Sequence, residues 1–251
     1  EEFDPAVVVG FGGYPSLPSL LAAGATKRPR VIHEQNAVLG RVNRLMAPRV
    51  DAVAVAYHNI QRFPAGHELK KHITGNPVRD EIAQIREDGF PPLPEDGIVR
   101  LLVVGGSLGA TVLSDVVPAA IAMLPRALLD RLQVVQQCRE DDIEAVRAKY
   151  ADLGVAAECA PYIKDFPERL RWAHLVIARA GASTLAELTV AGRPAILVPL
   201  PSAMDDHQTA NVRELVEAGG ARSIPQQHWP ELNIAPSIRV STARAMSASS
   251  M

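Results

Sequence analysis

The sequence predicts an α/β protein built on parallel sheet, and three observations predict it. Short apolar, β-branched runs recur along the 251 residues, with helix-length segments between most of them. Several runs are apolar throughout instead of alternating with polar residues, as strands covered on both faces are. Two of them pass directly into a glycine turn and then into a helical segment.

Taken in order, strands are expected at residues 6–10, 30–33 and 52–56, all built on Val, Ile and Ala. Residues 99–105, Val-Arg-Leu-Leu-Val-Val-Gly, give the fourth, and 133–136, 155–159, 175–178 and 195–199 the rest. Helices fit between them at 110–123, 141–151, 183–191 and 207–217. Residues 90–97, Phe-Pro-Pro-Leu-Pro-Glu-Asp-Gly, break this rhythm with three prolines and two acids and read as a linker. It would divide a three-stranded N-terminal domain, residues 1–89, from a C-terminal domain, 98–225, of ordinary size. After Ile224 come Pro225, Pro230 and Pro236 and then Ser- and Ala-rich sequence, so residues 226–251 are expected to form an irregular tail. No repeat at a solenoid period is visible.

Composition narrows the function. With 47% hydrophobic residues the chain can bury one or two cores. Lys+Arg 26 against Asp+Glu 28, a net charge of -2, argues against a dedicated nucleic-acid binder. Cys138 and Cys159 are too few for a disulfide framework or a four-thiolate zinc site, which fits a reducing cytoplasm. The apolar runs fall far short of the roughly 20 residues a membrane-spanning helix needs, so any membrane contact is expected to be peripheral. The first run is also too short for a signal-peptide core. The chain opens Glu1-Glu2-Phe3 without Met, which points to a longer protein. His67 and His72 suggest the zinc-protease motif, but at a spacing of five they stand about 140° apart around a helix and cannot share an ion, so no metal is expected.

The strand at 99–105 runs into Gly105-Gly106-Ser107-Leu108-Gly109-Ala110. Glycines let the backbone turn tightly and approach a ligand, and the free N–H groups of a following helix favour an anion such as pyrophosphate. Ser107 stands where a dinucleotide fingerprint would have its second glycine. The same residues satisfy Gly-x-Ser-x-Gly, so a serine hydrolase using Ser107, with Asp205 or Asp206 and His207, is the competing reading. Against it, the acid and base would be adjacent in sequence, whereas a triad draws them from separate loops. A second glycine turn, Arg179-Ala180-Gly181-Ala182-Ser183-Thr184-Leu185-Ala186-Glu187, follows the strand at 175–178. Ser183 or Thr184 can cap the helix there. Glu187 either satisfies the helix dipole or accepts hydrogen bonds from both hydroxyls of a ribose. His33-Glu34-Gln35-Asn36 gathers four polar side chains at the end of another strand, and Gly10-Phe11-Gly12-Gly13-Tyr14 turns at the end of the first.

These segments, with Gly75-Asn76-Pro77-Val78-Arg79 and Asp205-Asp206-His207-Gln208-Thr209-Ala210-Asn211, follow one another in an order that closely resembles the MurG family, bacterial UDP-N-acetylglucosamine transferases that convert lipid I to lipid II in peptidoglycan synthesis. The resemblance runs from about Pro5 to Ile224. It implies a GT-B architecture, two Rossmann-like domains facing a cleft, here with the N-terminal acceptor and membrane domain incomplete and the C-terminal one holding the UDP-sugar. It further implies that Ser107, with Gly106 and Gly109, contacts the donor diphosphate and that Arg79 adds a fixed positive charge there. Ile163, in Pro161-Tyr162-Ile163-Lys164-Asp165, matches a backbone contact to the uracil edge. Residues Ala182, Ser183, Thr184, Leu185, Ala186 and Glu187 match the ribose segment, with Glu187 on the hydroxyls, and Arg179, in the same motif, is a further substrate-binding candidate. Gln208 matches a donor-sugar contact, Asn211 lies in the same motif, and Asn36 looks like a donor contact from the N-terminal half.

The family inverts the anomeric carbon by direct displacement, without a cofactor. The muramoyl C4 hydroxyl of lipid I attacks as UDP leaves, and a general base takes its proton. His33, Glu34 and Tyr14 are the candidates by position, and the sequence leaves all three open. Expected partners are the UDP-N-acetylglucosamine donor, the lipid I acceptor, the cytoplasmic face of the inner membrane and other cell-wall synthesis or division proteins. A related acceptor, a diacylglycerol, would give a glycolipid synthase on the same fold. Six basic residues, Lys27, Arg28, Arg30, Arg41, Arg44 and Arg49, against one acid, Glu34, form a candidate patch for anionic lipid. The family's Gly-Gly-Thr-Gly-Gly-His loop, which carries a His proposed for catalysis, would lie before Glu1. Ser114 and His207 stand where some members have Asn and Gln.

Overall fold

The structure, a computed structural model, describes residues 4–106, 111–201 and 203–226. Ser107, Gly109 and the expected tail from residue 227 onward lie outside the described residues. Packing divides the chain into two compact units, residues 4–77 with 204–211, and residues 78–203 with 212–226.

In the first unit the order is β1 (Val8–Gly10), α1 (Ser16–Ala25), β2 (Arg30–Glu34), α2 (Arg41–Met46), β3 (Ala52–Val55) and β4 (Lys71–Ile73). The four strands pair in parallel in the order β1-β2-β3-β4. Their core gathers Leu20, Ile32, Leu39, Met46, Val53 and Val55, all fully buried. The fourth strand corrects the expectation of three. It is three residues long, Lys-His-Ile, at the sheet edge and mostly polar, so its sequence carries no period to read. It also contains His72, which therefore shares no helix with His67.

The second unit begins with α3 (Asp80–Asp88), then β5 (Val99–Val104), α4 (Thr111–Ile121), α5 (Arg126–Leu129), β6 (Leu132–Gln137) and α6 (Ile143–Asp152). It continues through β7 (Ala156–Ala160), α7 (Phe166–Trp172), β8 (Leu175–Arg179), α8 (Ala182–Ala191) and β9 (Ala195–Val198). Helix α9 (His207–Glu217) carries the chain across the division at residues 211 and 212, and β10 (Ala221–Ser223) closes the sheet. All six strands are parallel, in the order β10-β9-β8-β5-β6-β7. Along β5, Leu101 and Val103 enter one core cluster while Leu102 enters the other, on the opposite face. Helices cover both faces, which is why these strands read as continuously apolar.

The division falls at Pro77 and Val78, not in the proline-rich stretch 90–97. Ile82 and Ile85, one turn apart on α3, are fully buried in the second unit's core. Leu93, inside the expected linker, is buried in the other cluster of the same unit. The His174 Nε2–H donates to the Pro92 carbonyl at 3.2 Å. The prolines interrupt regular structure there, but the apolar side chains around them belong to the second core.

Candidate functional site

In the second unit the chain runs from β5 outward to β6 and β7, then crosses back to β8 beside β5. Sheets of this topology bind ligands at the carboxyl ends of the strands where the direction reverses. A pocket opens there, lined by Val104 at the end of β5 and Gly106 after it, Gln137 at the end of β6, Tyr162, Ile163 and Lys164 in the turn before α7, Phe166 at its start, Thr184 and Glu187 on α8, and Arg79 ahead of α3. Gly106 has φ +87, a conformation that favours glycine.

Arg79 is the N-cap residue of α3, and its guanidinium donates to Glu187 Oε1 at 3.0 Å while standing 5.8 Å from the Phe166 ring centroid. Helix α8 starts at Ala182 with Gly181 as N-cap and no side-chain cap, so neither Ser183 nor Thr184 caps it. No acid lies in its first turn. Glu187, in the second turn, is thus not there for the dipole; it faces the pocket. Leu185 is buried in the core, whereas Ser183 is exposed. Arg179 is turned away from the pocket lining: its Nη1 donates to the Val198 and Pro199 carbonyls at 3.3 and 3.4 Å, and burial lowers its pKa. Gln137 was not singled out from sequence. It is buried, its Nε2 donates to the Pro161 carbonyl at 3.2 Å, and it holds the turn that carries Ile163. The one available signal was a polar Gln-Gln pair ending an apolar strand.

The first unit holds a second cluster at the end of β2. Glu34 is buried, and its carboxylate accepts four hydrogen bonds: Oε1 from the Asn36 N–H at 3.0 Å and Asn36 Nδ2 at 3.2 Å, Oε2 from the Gly40 N–H at 2.8 Å and Asn43 Nδ2 at 2.9 Å. That uses about all the lone-pair positions a carboxylate has. His33, also buried, donates from Nε2 to the Gly75 carbonyl at 3.0 Å and accepts at Nδ1 from Gln35 Nε2 at 3.0 Å. Both ring nitrogens are taken in this neutral tautomer. Glu34 and His33 thus brace the 33–40 segment and the Gly75 carbonyl. Tyr14, 68% exposed, has no hydrogen bond to its hydroxyl among the described residues. The glycine turn before it takes φ +79 at Gly12, where a Cβ would also stand 3.2 Å from Asn43 Nδ2.

Residues 204–211 complete this cluster from far along the chain. Asn211, fully buried, accepts the Ala37 N–H at 2.7 Å and donates to Asn36 Oδ1 at 3.1 Å. Asn36 is thereby held from both sides. Asp205, with φ +55, pairs with Arg44 at 2.9 Å and Arg62 at 2.5 Å. The Arg62 hydrogen bond, then the charges of Arg62, Arg44 and Arg41, hold its carboxyl below the usual range. Arg44 is therefore not free for a lipid surface, and Arg28 is likewise paired, with Asp4. Gln208 lies partly exposed in the first turn of α9. Among the described residues no group of three or more His, Cys, Asp or Glu side chains could hold a metal ion. No helix among them is long and apolar enough to cross a membrane.

The chain matches the glycosyltransferase family 28 C-terminal domain over residues 100–251 and the N-terminal domain of the same family over residues 1–55. A Sphingopyxis alaskensis protein named UDP-N-acetylglucosamine--N-acetylmuramyl-(pentapeptide) pyrophosphoryl-undecaprenol N-acetylglucosamine transferase is 84% identical over 239 residues, 95% of this chain and 61% of its own length. A protein of the same name from Zymomonas mobilis is 58% identical over 95% of this chain and 62% of its own. The chain thus spans about three fifths of the curated relatives it matches. Among solved structures, Acinetobacter baumannii MurG matches with a TM-score of 0.78 at 34% identity, over 97% of this chain and 68% of that one. The two parallel sheets are those of GT-B glycosyltransferases. Nothing here supports a hydrolase built on Ser107, and Asp205, a candidate acid for it, is committed to two arginines.

Proposed function

This chain belongs to glycosyltransferase family 28, and from that premise we propose that it serves the inverting transfer of N-acetylglucosamine from UDP-N-acetylglucosamine to the C4 hydroxyl of the N-acetylmuramic acid of lipid I, giving lipid II. The observation that carries this reading is the pocket at the strand ends of the six-stranded sheet. It combines a guanidinium, a carboxylate on a helix and a glycine turn, the groups a nucleoside diphosphate requires.

In this reading Glu187 accepts the ribose hydroxyls and the backbone at Ile163 pairs with the uracil edge. Arg79 and the turn of Gly106, Ser107 and Gly109 meet the diphosphate, and Gln208 and Asn36 contact the donor sugar. The acceptor oxygen forms a bond to the sugar C1 as the bond from C1 to the diphosphate oxygen breaks. The electron pair leaves with UDP, and the acceptor proton passes to a base. Arg79 stabilises the charge developing on the leaving group by electrostatics arranged in advance. His33 and Glu34 contribute by fixing the loop that carries Asn36, which leaves Tyr14 as the candidate open to an acceptor. Because that acceptor is a lipid, the protein works peripherally at the inner face of the cytoplasmic membrane, where Lys27, Arg41 and Arg49 would meet anionic lipid alongside other cell-wall synthesis or division proteins.

Calorimetry with UDP, run beside a transfer assay with a lipid I analogue on the 251-residue chain, separates binding from turnover. UDP binding is expected, and Glu187→Ala should weaken it roughly tenfold or more, the value of one hydrogen bond to a charged group. Undiminished UDP affinity in that variant would remove the ribose assignment. Transfer to a diacylglycerol in place of the lipid I analogue would move the acceptor.

A further inference from the structure

We propose that Gln137 is a positioning residue for base recognition: its side-chain amide fixes the turn whose backbone at Ile163 reads the uracil edge. The inference rests on the reading above of Ile163 and adds a residue to it. Strand β6 ends in Gln136-Gln137, and alternation along a strand sends the two side chains to opposite faces of the sheet. Gln136 is bound on one face, where its Nε2 donates to the Leu113 carbonyl at 3.3 Å and its Oε1 accepts the Tyr150 hydroxyl at 2.5 Å. Gln137 turns to the other face, the one whose core takes in Val135 and Ile163, and lines the pocket there.

The turn has few other holds. Strand β7 is the last of its sheet and pairs only with β6. Their ladder ends with Gln137 opposite Ala160 and the Cys138 N–H donating to the Ala160 carbonyl at 3.0 Å. Pro161 follows and has no N–H to offer. Tyr162 is exposed, whereas the Ile163 side chain is buried in the core. A buried side chain fixes where Ile163 stands but does not by itself set the tilt of its peptide planes, which the backbone dihedrals leave soft. Gln137 Nε2 donates to the Pro161 carbonyl at 3.2 Å. Among the described residues this is the one side-chain hydrogen bond that the backbone of residues 161–164 receives. The amide thus carries the ladder one residue further and sets the plane of the peptide that leads into Tyr162 and Ile163. A base edge is read by a donor and an acceptor held at fixed angles. Tilting the turn costs that match and leaves contacts to ribose and phosphate elsewhere in the pocket as they were.

Two nucleotides separate this role from a merely structural one. UDP and CDP share ribose and diphosphate, but cytosine presents an amino donor and a bare ring nitrogen where uracil presents a carbonyl and an N–H. The unmodified 251-residue chain should bind UDP more tightly than CDP by calorimetry. Gln137→Met keeps the bulk and loses the amide. Its UDP affinity should fall about 3- to 10-fold, the value of one hydrogen bond, with CDP affinity little changed, so that the preference shrinks. Gln137→Glu tests the same bond without loss of shape, since a carboxylate cannot donate to the Pro161 carbonyl and the protonated acid can. Its UDP preference should be low at about pH 8 and recover toward about pH 5, because burial beside a carbonyl raises the pKa of a carboxyl. Gln136→Met, the same loss on the opposite face, should keep the preference. Three results overturn the positioning role and leave the Ile163 assignment standing: an undiminished preference in Gln137→Met, an equal loss of UDP and CDP affinity there, or a Gln137→Glu preference that is the same at both pH values. Loss of the preference in Gln136→Met as well would also overturn it, by showing that either face disturbs the pocket. An unmodified chain that binds UDP and CDP alike removes the Ile163 assignment, and the role with it.

Discussion

Glu34 shows how a residue can be conspicuous in sequence for one reason and act in the fold for another. His33-Glu34-Gln35-Asn36 at a strand end marks a place where polar groups converge, and that much is legible. What the carboxylate does depends on Gly40, Asn43 and, through Asn36, on Asn211, which lies 175 positions away from Asn36. No local pattern announces those partners, so the bracing becomes visible only in the fold. Brace and base predict different behaviour for Glu34→Gln. Gln keeps the shape but places an NH2 group against a donor from Asn36, Gly40 or Asn43. A buried clash of donors should cost about 1–3 kcal/mol, read as a lower urea midpoint. An unchanged midpoint with transfer abolished would restore Glu34 as a base.

Among the elements, legibility followed burial on two faces. Five of the six strands of the larger sheet announced themselves because helices cover both sides, whereas β10, three residues long at the sheet edge, did not; α9 was placed residue for residue. Helices α1 and α3 escaped notice for separate reasons. Helix α1 carries Pro18 and Gly24, breakers that its first turn and its C-terminal end tolerate. Helix α3 is mostly charged and shows the core only Ile82 and Ile85. Both α3 and α7 depend on a residue outside them, Arg193. Its buried guanidinium donates to the carbonyls of Leu170 at 2.9 Å, Ala191 at 2.8 Å, Gly89 at 3.1 Å and Arg171 at 3.3 Å. These lie at or just past the C-terminal ends of α3, α7 and α8, where helices leave carbonyls unpaired. Burial, then the charge of Arg171, brings the Arg193 pKa down to about 10, so it remains charged at neutral pH. Arg193→Ala would strand those carbonyls in the interior and should cost about 3 kcal/mol or more in the unfolding free energy of the second unit. Arg193→Lys should recover only part of that, since an ammonium cannot span the same fork of acceptors. Full recovery with Lys would mean that charge alone, not geometry, secures the helix ends.

At the scale of the whole chain, two domains were legible and their boundary was not. A proline-rich stretch records where regular structure stops, whereas a boundary is set by which core receives the neighbouring apolar side chains. Here Leu93 and α3 both enter the second core, and His174 fastens the stretch between them by accepting the Arg100 N–H at 3.0 Å and donating to Pro92. Those bonds require a neutral imidazole. Burial lowers the His174 pKa to about 4, with the charges of Arg100 and Arg193 acting the same way and the Pro92 hydrogen bond opposing. The unfolded chain titrates near about 6.5, so the folded state binds the proton less readily than the unfolded state. The contribution of His174 is therefore whole above about pH 6.5 and is lost as the pH falls toward 4. The thermal midpoint of the second unit should drop between pH 7 and pH 5 for this reason, beyond any general acid effect. His174→Phe, which cannot titrate, should start from a lower midpoint at pH 7 and show a shallower decline over the same range. Equal slopes in the two proteins would show that another group carries the acid sensitivity, and that the stretch at 90–97 is held to the second unit by Leu93 and its apolar neighbours alone.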